Sequence, residues 1–162
     1  MMWKKTIPFL LAILLLTACS ADAEGKSRDV LSPMNVDGVS WETEKETYTS
    51  SEVISLSLKN ETSHVISFGT PYAVERYEDG KWVKTSLTEN LHFTQQLITL
   101  QPGETYQTTV DLNAFEDKIS PGIYQVVKNI DINGEKFKIG AAFQIVETSR
   151  NDECKVCVFL NI

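Results

Sequence analysis

The chain has 162 residues, 42% of them hydrophobic, 9% aromatic and 23% charged. That is room for one ordinary domain plus extensions, and it excludes both a disordered chain and one embedded in a membrane along its whole length. With 22 acidic against 15 basic residues the formal net charge is −7, which argues against binding driven by backbone phosphates, so no nucleic acid partner is expected. At the start, Lys4 and Lys5 precede an apolar run over residues 7–16. The run is shorter than the about 20 residues needed to cross a bilayer. It matches the charged and apolar regions of a secretory signal.

The run ends in Leu16-Thr17-Ala18-Cys19, which at every position resembles the lipobox of bacterial lipoprotein precursors. The resemblance implies that the Cys19 thiol receives a diacylglyceryl group and becomes the new N-terminus, so that residues 1–18 are a lipoprotein signal peptide. Their removal takes away Lys4 and Lys5 and no acid, leaving 13 basic against 22 acidic side chains, a balance of −9. One acyl chain anchors only marginally, whereas two hold stably. The expected location is therefore the extracytoplasmic face of the cell membrane, with the membrane as partner through the N-terminal lipid anchor. Residues 19–35 show no helical or strand period and read as a lipidated tether, with a typical end-to-end distance of about 20 to 25 Å if flexible.

From Val36 onward a period of two dominates. Ile54, Leu56 and Leu58 alternate with Ser55, Ser57 and Lys59, and residues 65–68 form another short run. Residues 72–78 and 81–84 meet through Asp79-Gly80, and residues 123–132 meet 137–145 through Asn133-Gly134; both dipeptides are strong hairpin signals. Tyr106, Thr108, Val110 and Leu112 share a face, and residues 114–117 are expected to form a single helical turn. About seven to eight short strands punctuated in this way predict an all-β, antiparallel sandwich over residues 36–147. A closed up-and-down barrel competes less well, because the connections are uneven and residues 86–96 are irregular. Residues 148–162 form a C-terminal tail.

In Leu100-Gln101-Pro102-Gly103-Glu104 and again in Ser120-Pro121-Gly122, proline fixes one backbone angle and glycine accepts a positive one, so the chain turns sharply into a strand. Tyr124, placed as the second of these strands begins, resembles the structural tyrosine corner of immunoglobulin-like sandwiches. Taken in order, the strand ending in Lys59-Asn60, the hairpin through Asp79-Gly80-Lys81-Trp82, the Pro-Gly-Glu turn and the Pro-Gly-Ile-Tyr strand resemble the bacterial immunoglobulin-like domain of small secreted lipoproteins. The likeness covers residues 36–146. It implies an immunoglobulin-like fold in an extracytoplasmic setting and, by itself, no activity.

No catalytic residue and no enzyme activity is expected. Only His64 and His92 are available as bases near neutral pH, and no glycine-flanked serine accompanies them. Glu42, Glu44 and Glu46 alternate and would share a face, but calcium takes about six to eight oxygens from a shaped loop, so the metal expectation is none and the cofactor expectation is none. Trp41, Tyr72, Tyr77, Trp82, Phe93 and Tyr106 read as core and cross-strand pairs, with Trp82 the candidate for exposure. Asn60-Glu61-Thr62 matches a glycosylation acceptor that has no use in a bacterial lipoprotein. Cys154 and Cys157 admit three readings: an exported disulfide, two free thiols, or no selected role. The leading expectation is a binding or scaffolding module for an unknown envelope or extracellular protein. Two alternatives are a protease inhibitor presenting residues 85–96, and a thiol redox role through Cys154 and Cys157.

Overall fold

A computed structural model describes residues 30–32, 34–115 and 117–147. Cys19, Cys154 and Cys157 lie outside the described residues, as do residues 1–18, expected as a signal peptide, most of the expected tether over 19–35, and residues 148–162. Ten strands are present among the described residues: β1 (Val39–Thr43), β2 (Thr47–Thr49), β3 (Val53–Asn60), β4 (Ile66–Gly69), β5 (Ala73–Glu78), β6 (Lys81–Lys84), β7 (Leu97–Leu100), β8 (Thr105–Asp111), β9 (Gly122–Ile132) and β10 (Glu135–Val146). The chain is an all-β immunoglobulin-like sandwich. One sheet has the order β1-β3-β8. The other has the order β2-β10-β9-β4-β7, with β5 also on β9 and β6 on β5.

The alternation in the sequence places the core. Ile54, Leu56 and Leu58 of β3 face Ile139, Ala141, Phe143 and Ile145 of β10 in one buried cluster, with the serines of β3 on the opposite face of its pleat. Edge-to-face packing of Tyr48 on Phe143, with centroids 6.0 Å apart, and stacking of Tyr124 on the same ring at 5.9 Å fill the centre. Two hairpins take the turn their residues require. Asn133 and Gly134 have φ of 55° and 86°, and Asp79 and Gly80 have 49° and 82°, the doubly left-handed pair whose twist matches that of the flanking strands.

Three features depart from the pattern read in the sequence. Residues 41–49 make two strands on different sheets, because the chain crosses at residues 44–46 without reversing. The amide of Glu44 donates to Ser55 O at 3.0 Å and that of Gln144 to Glu46 O at 2.7 Å, so β2 runs parallel to β10 in an otherwise antiparallel fold. Second, β4 and β5 occupy the same side of β9, at residues 130–132 and 124–127. They form one strand line broken at Thr70-Pro71, where proline supplies no N–H to the ladder. Third, the short helical turn falls at Leu112–Ala114, upstream of residues 114–117, because the Asp111 carboxylate caps it by accepting from the Asn113 amide at 2.9 Å. Phe115 then turns extended and is buried.

The body engages the chain before Val36. Met34 and Gly140 exchange two backbone hydrogen bonds of 2.8 and 2.9 Å, antiparallel, along the edge of β10. Asn35 Oδ1 accepts from the Trp41 amide at 2.9 Å. Residues 34–36 thus run toward the Asn133-Gly134 end of the sandwich, away from the end where Tyr124 sits.

Candidate functional site

The Tyr124 corner is built by β9 and the turn before it. The Tyr124 hydroxyl donates to Ser120 O at 2.9 Å, and the ring is 2% exposed. The Arg76 guanidinium lies 5.6 Å from the ring centroid and donates to Pro121 O at 3.2 Å, an arrangement in which a cation sits on an aromatic face. Tyrosine and arginine together fix the Pro121-Gly122 turn. The hydroxyl is spent on backbone, so this tyrosine is an architectural part.

The two histidines are not brought into a reactive set. Both are exposed; the His64 amide donates to Thr62 Oγ1 at 3.1 Å and its carbonyl accepts from Asn60 Nδ2 at 2.8 Å. Glu42 and Glu44 line an open hollow of about 790 Å³ over the outer face of the β1-β3-β8 sheet, with Ser55, Ser57, Gln107 and Thr109. Glu46 is not with them, because its backbone is used at the strand switch. Among the described residues no group of three or more His, Cys, Asp or Glu side chains could hold a metal ion.

Residues 85–96 are drawn down onto the body. Leu87 and Leu91 pack against the core, Phe93 meets Tyr72 edge-on at 5.0 Å, and the Thr94 carbonyl accepts from the Thr70 hydroxyl. A loop that inhibits a protease must project into a cleft, so nothing in this segment favours that role. Trp41 is 1% exposed, and Tyr106 pairs with Phe68 at 5.1 Å. Trp82 is half-buried rather than free, directly opposite Tyr77 across the β5–β6 hairpin with centroids 5.2 Å apart.

Four buried polar residues stand out, of which the sequence reading pointed to Asn60 alone, as a strand end and a glycosylation match. Asn60, 0% exposed, donates to His64 O and Leu100 O and accepts from the Thr62 amide and hydroxyl. Glu75 is held at both oxygens, by Gln125 Nε2 at 2.7 Å and Lys138 Nζ at 2.5 Å. Lys128 points inward between Val126 and Ile130 and is 4% exposed. Its ammonium donates to Thr70 O at 3.2 Å and Pro71 O at 3.1 Å, 5.3 Å from the Phe68 ring centroid. Burial lowers its pKa from 10.5 to about 8. The signal for Gln125 and Lys128 was present: both interrupt the apolar run of residues 123–132. Lys128 fills the break between β4 and β5, bonding two carbonyls that the broken strand line leaves over.

A family model described as a bacterial Ig-like domain matches residues 35–144. The chain belongs to the bacterial Ig-like domain family. No curated protein gives a significant match. Solved structures similar to this Ig-like chain include a Northeast Structural Genomics Consortium target, SoR45, at 17% identity and TM-score 0.37, covering 67% of this chain and 83% of that one. The sporulation control protein Spo0M from Bacillus subtilis matches at 18% identity and TM-score 0.36, over 68% of this chain and 49% of its own. Pseudomonas fluorescens alkylpurine DNA glycosylase AlkC, bound to DNA containing an abasic site analog, matches at 15% identity and TM-score 0.36, over 65% of this chain and 29% of its own. Ig-like domains of this family are in general non-enzymatic modules.

Proposed function

We propose that this protein is a lipid-anchored, extracytoplasmic Ig-like module that binds or scaffolds another protein at the cell envelope. The observation that carries the reading is one of order along the chain: a ten-residue apolar run, Leu16-Thr17-Ala18-Cys19, a short polar segment, and then the Ig-like body matched over residues 35–144. A diacylated Cys19 keeps the body at the membrane surface. The body then offers rigid strands and surface loops, the usual means by which a sandwich engages a partner. Since residues 34–36 run toward the Asn133-Gly134 end, that end lies farther along the tether path and is the face for a partner approaching from outside.

Treating the native host with globomycin and fractionating the cells tests the anchored form. Accumulation of the precursor, with untreated protein confined to the membrane fraction, supports it. Unchanged processing with release into the medium removes it.

A further inference from the structure

At the Tyr124 end of the sandwich lies a hollow of about 270 Å³ whose charge is opposite to that of the molecule. Arg76, Lys84 and Lys118 line it with the carboxylate of Glu78, and the Asp117 carboxylate reaches its rim at Ser86, a local balance of +1 among the described residues in a chain whose balance is −7. Arg76 is anchored rather than loose. It stacks on Tyr124, donates to Pro121 O at 3.2 Å and lies 3.6 Å from Glu78, which leaves part of its five-donor fork unused. Lys84 and Lys118 have no partner among the described residues, so six ammonium protons are uncommitted. Hydroxyls complete the lining. Ser120 Oγ lies 3.3 Å from Tyr124 Oη, and Ser86 Oγ reaches Asp117 Oδ2 only at 3.5 Å.

The geometry points to this hollow as a binding site for a phosphate group. Like-charged side chains gathered around one cavity repel one another unless an anion shares it, and here Glu78 and Asp117 offset two of the three. A carboxylate presents two oxygens, whereas a phosphate presents three or four and carries a charge of about −1.5 to −2 at pH 7. The phosphate therefore matches the surplus of donors and the positive balance. Arginine held in a fixed plane favours oxyanions with bonds in parallel, and lysine adds point charge. The volume admits a phosphate with a small attached group. A phosphate monoester free in solution and the glycerophosphate of an envelope lipid or polymer share this chemistry. The inference does not depend on the anchor at Cys19.

The full chain, in detergent micelles, is titrated with inorganic phosphate, with sn-glycerol 3-phosphate and with glycerol, followed by calorimetry. Saturable binding of phosphate, weakened at least tenfold in the double variant K84E/K118E and unchanged in K136E, is the expected result. Both lysines are exposed, and an unaltered thermal transition in the double variant establishes that the fold is intact. Tighter binding of glycerol phosphate than of inorganic phosphate assigns the site to headgroup or polymer chemistry, and equal binding assigns it to the free ion. No saturation up to ~50 mM, equal response to glycerol, or equal binding by K84E/K118E overturns the proposal.

Discussion

The indole Nε1 of Trp41 donates to the carbonyl of Val126 at 3.0 Å, joining β1 of one sheet to β9 of the other through the buried centre of the sandwich. Apolar packing alone tolerates sliding of one sheet on another; a buried directional bond fixes the alignment. Replacing Trp41 with Phe removes the donor, leaves the carbonyl without it and opens space beside Val126. The expected loss is about 2 to 4 kcal/mol, read as a lower urea midpoint with an unchanged slope. A loss below about 0.5 kcal/mol would show that the bond does not align the sheets.

Asn60 closes the Asn133-Gly134 end of the sandwich. Its side chain joins the carbonyls of His64 and Leu100 to the amide of Thr62, while its backbone exchanges bonds with Gly103 and Glu104 at the Pro102-Gly103 turn. Asn60→Ala takes one donor from the buried Leu100 carbonyl and the acceptor from the part-buried Thr62 amide, while the His64 carbonyl keeps the Thr62 hydroxyl, at an expected cost of about 2 to 3 kcal/mol. Asn60→Asp keeps the acceptor but loses two donors and adds a buried charge, and is expected to be no better. Thermal unfolding of both variants checks the ranking.

Lys128 gives the fold a dependence on alkaline pH. Its folded pKa of about 8 lies below the ordinary 10.5, so between those values the unfolded chain holds more protons and stability rises with pH. Below pH 8 the cost of the buried charge is fully present. In Lys128→Met this rise is expected to flatten, with stability at pH 7 within about 1 kcal/mol of wild type, since relief of desolvation offsets two lost bonds to carbonyls. Urea midpoints of both proteins from pH 7 to 10.5 measure the difference.

Glu52 acts at the other end of the scale. The Thr49 amide, Lys45 and the Thr49 hydroxyl hold its carboxylate at a pKa of about 2, from 4.5. Because the folded value is depressed, the stabilisation is complete above the unfolded value and is lost as pH falls from 4.5 toward 2. The carboxylate is exposed to solvent and screened, so the effect is small. Acid titrations in which Glu52→Gln and wild type lose stability in parallel would contradict it.

The alternation of β3, β8, β9 and β10 and both left-handed turns were legible because period and turn chemistry are local properties of sequence. The bond from Tyr124 to Ser120 is local too, spanning four residues. The strand switch at residues 44–46 was not legible, since no local preference says which sheet a strand joins. β7 was missed for a related reason: four residues, Leu97–Leu100, at the end of an irregular stretch become a strand only because β4 offers an edge. The hollow at Arg76, Lys84 and Lys118 draws on residues up to 42 apart in sequence. Charge spacing along the chain carries no trace of it.

The proposed diacylglyceryl group on Cys19 is tested most directly by intact-mass analysis of the protein extracted from its host's membranes. A chain beginning at Cys19 and heavier by a diacylglyceryl group is the predicted result. A chain that still carries residues 1–18, or one with an unmodified Cys19 thiol, contradicts it.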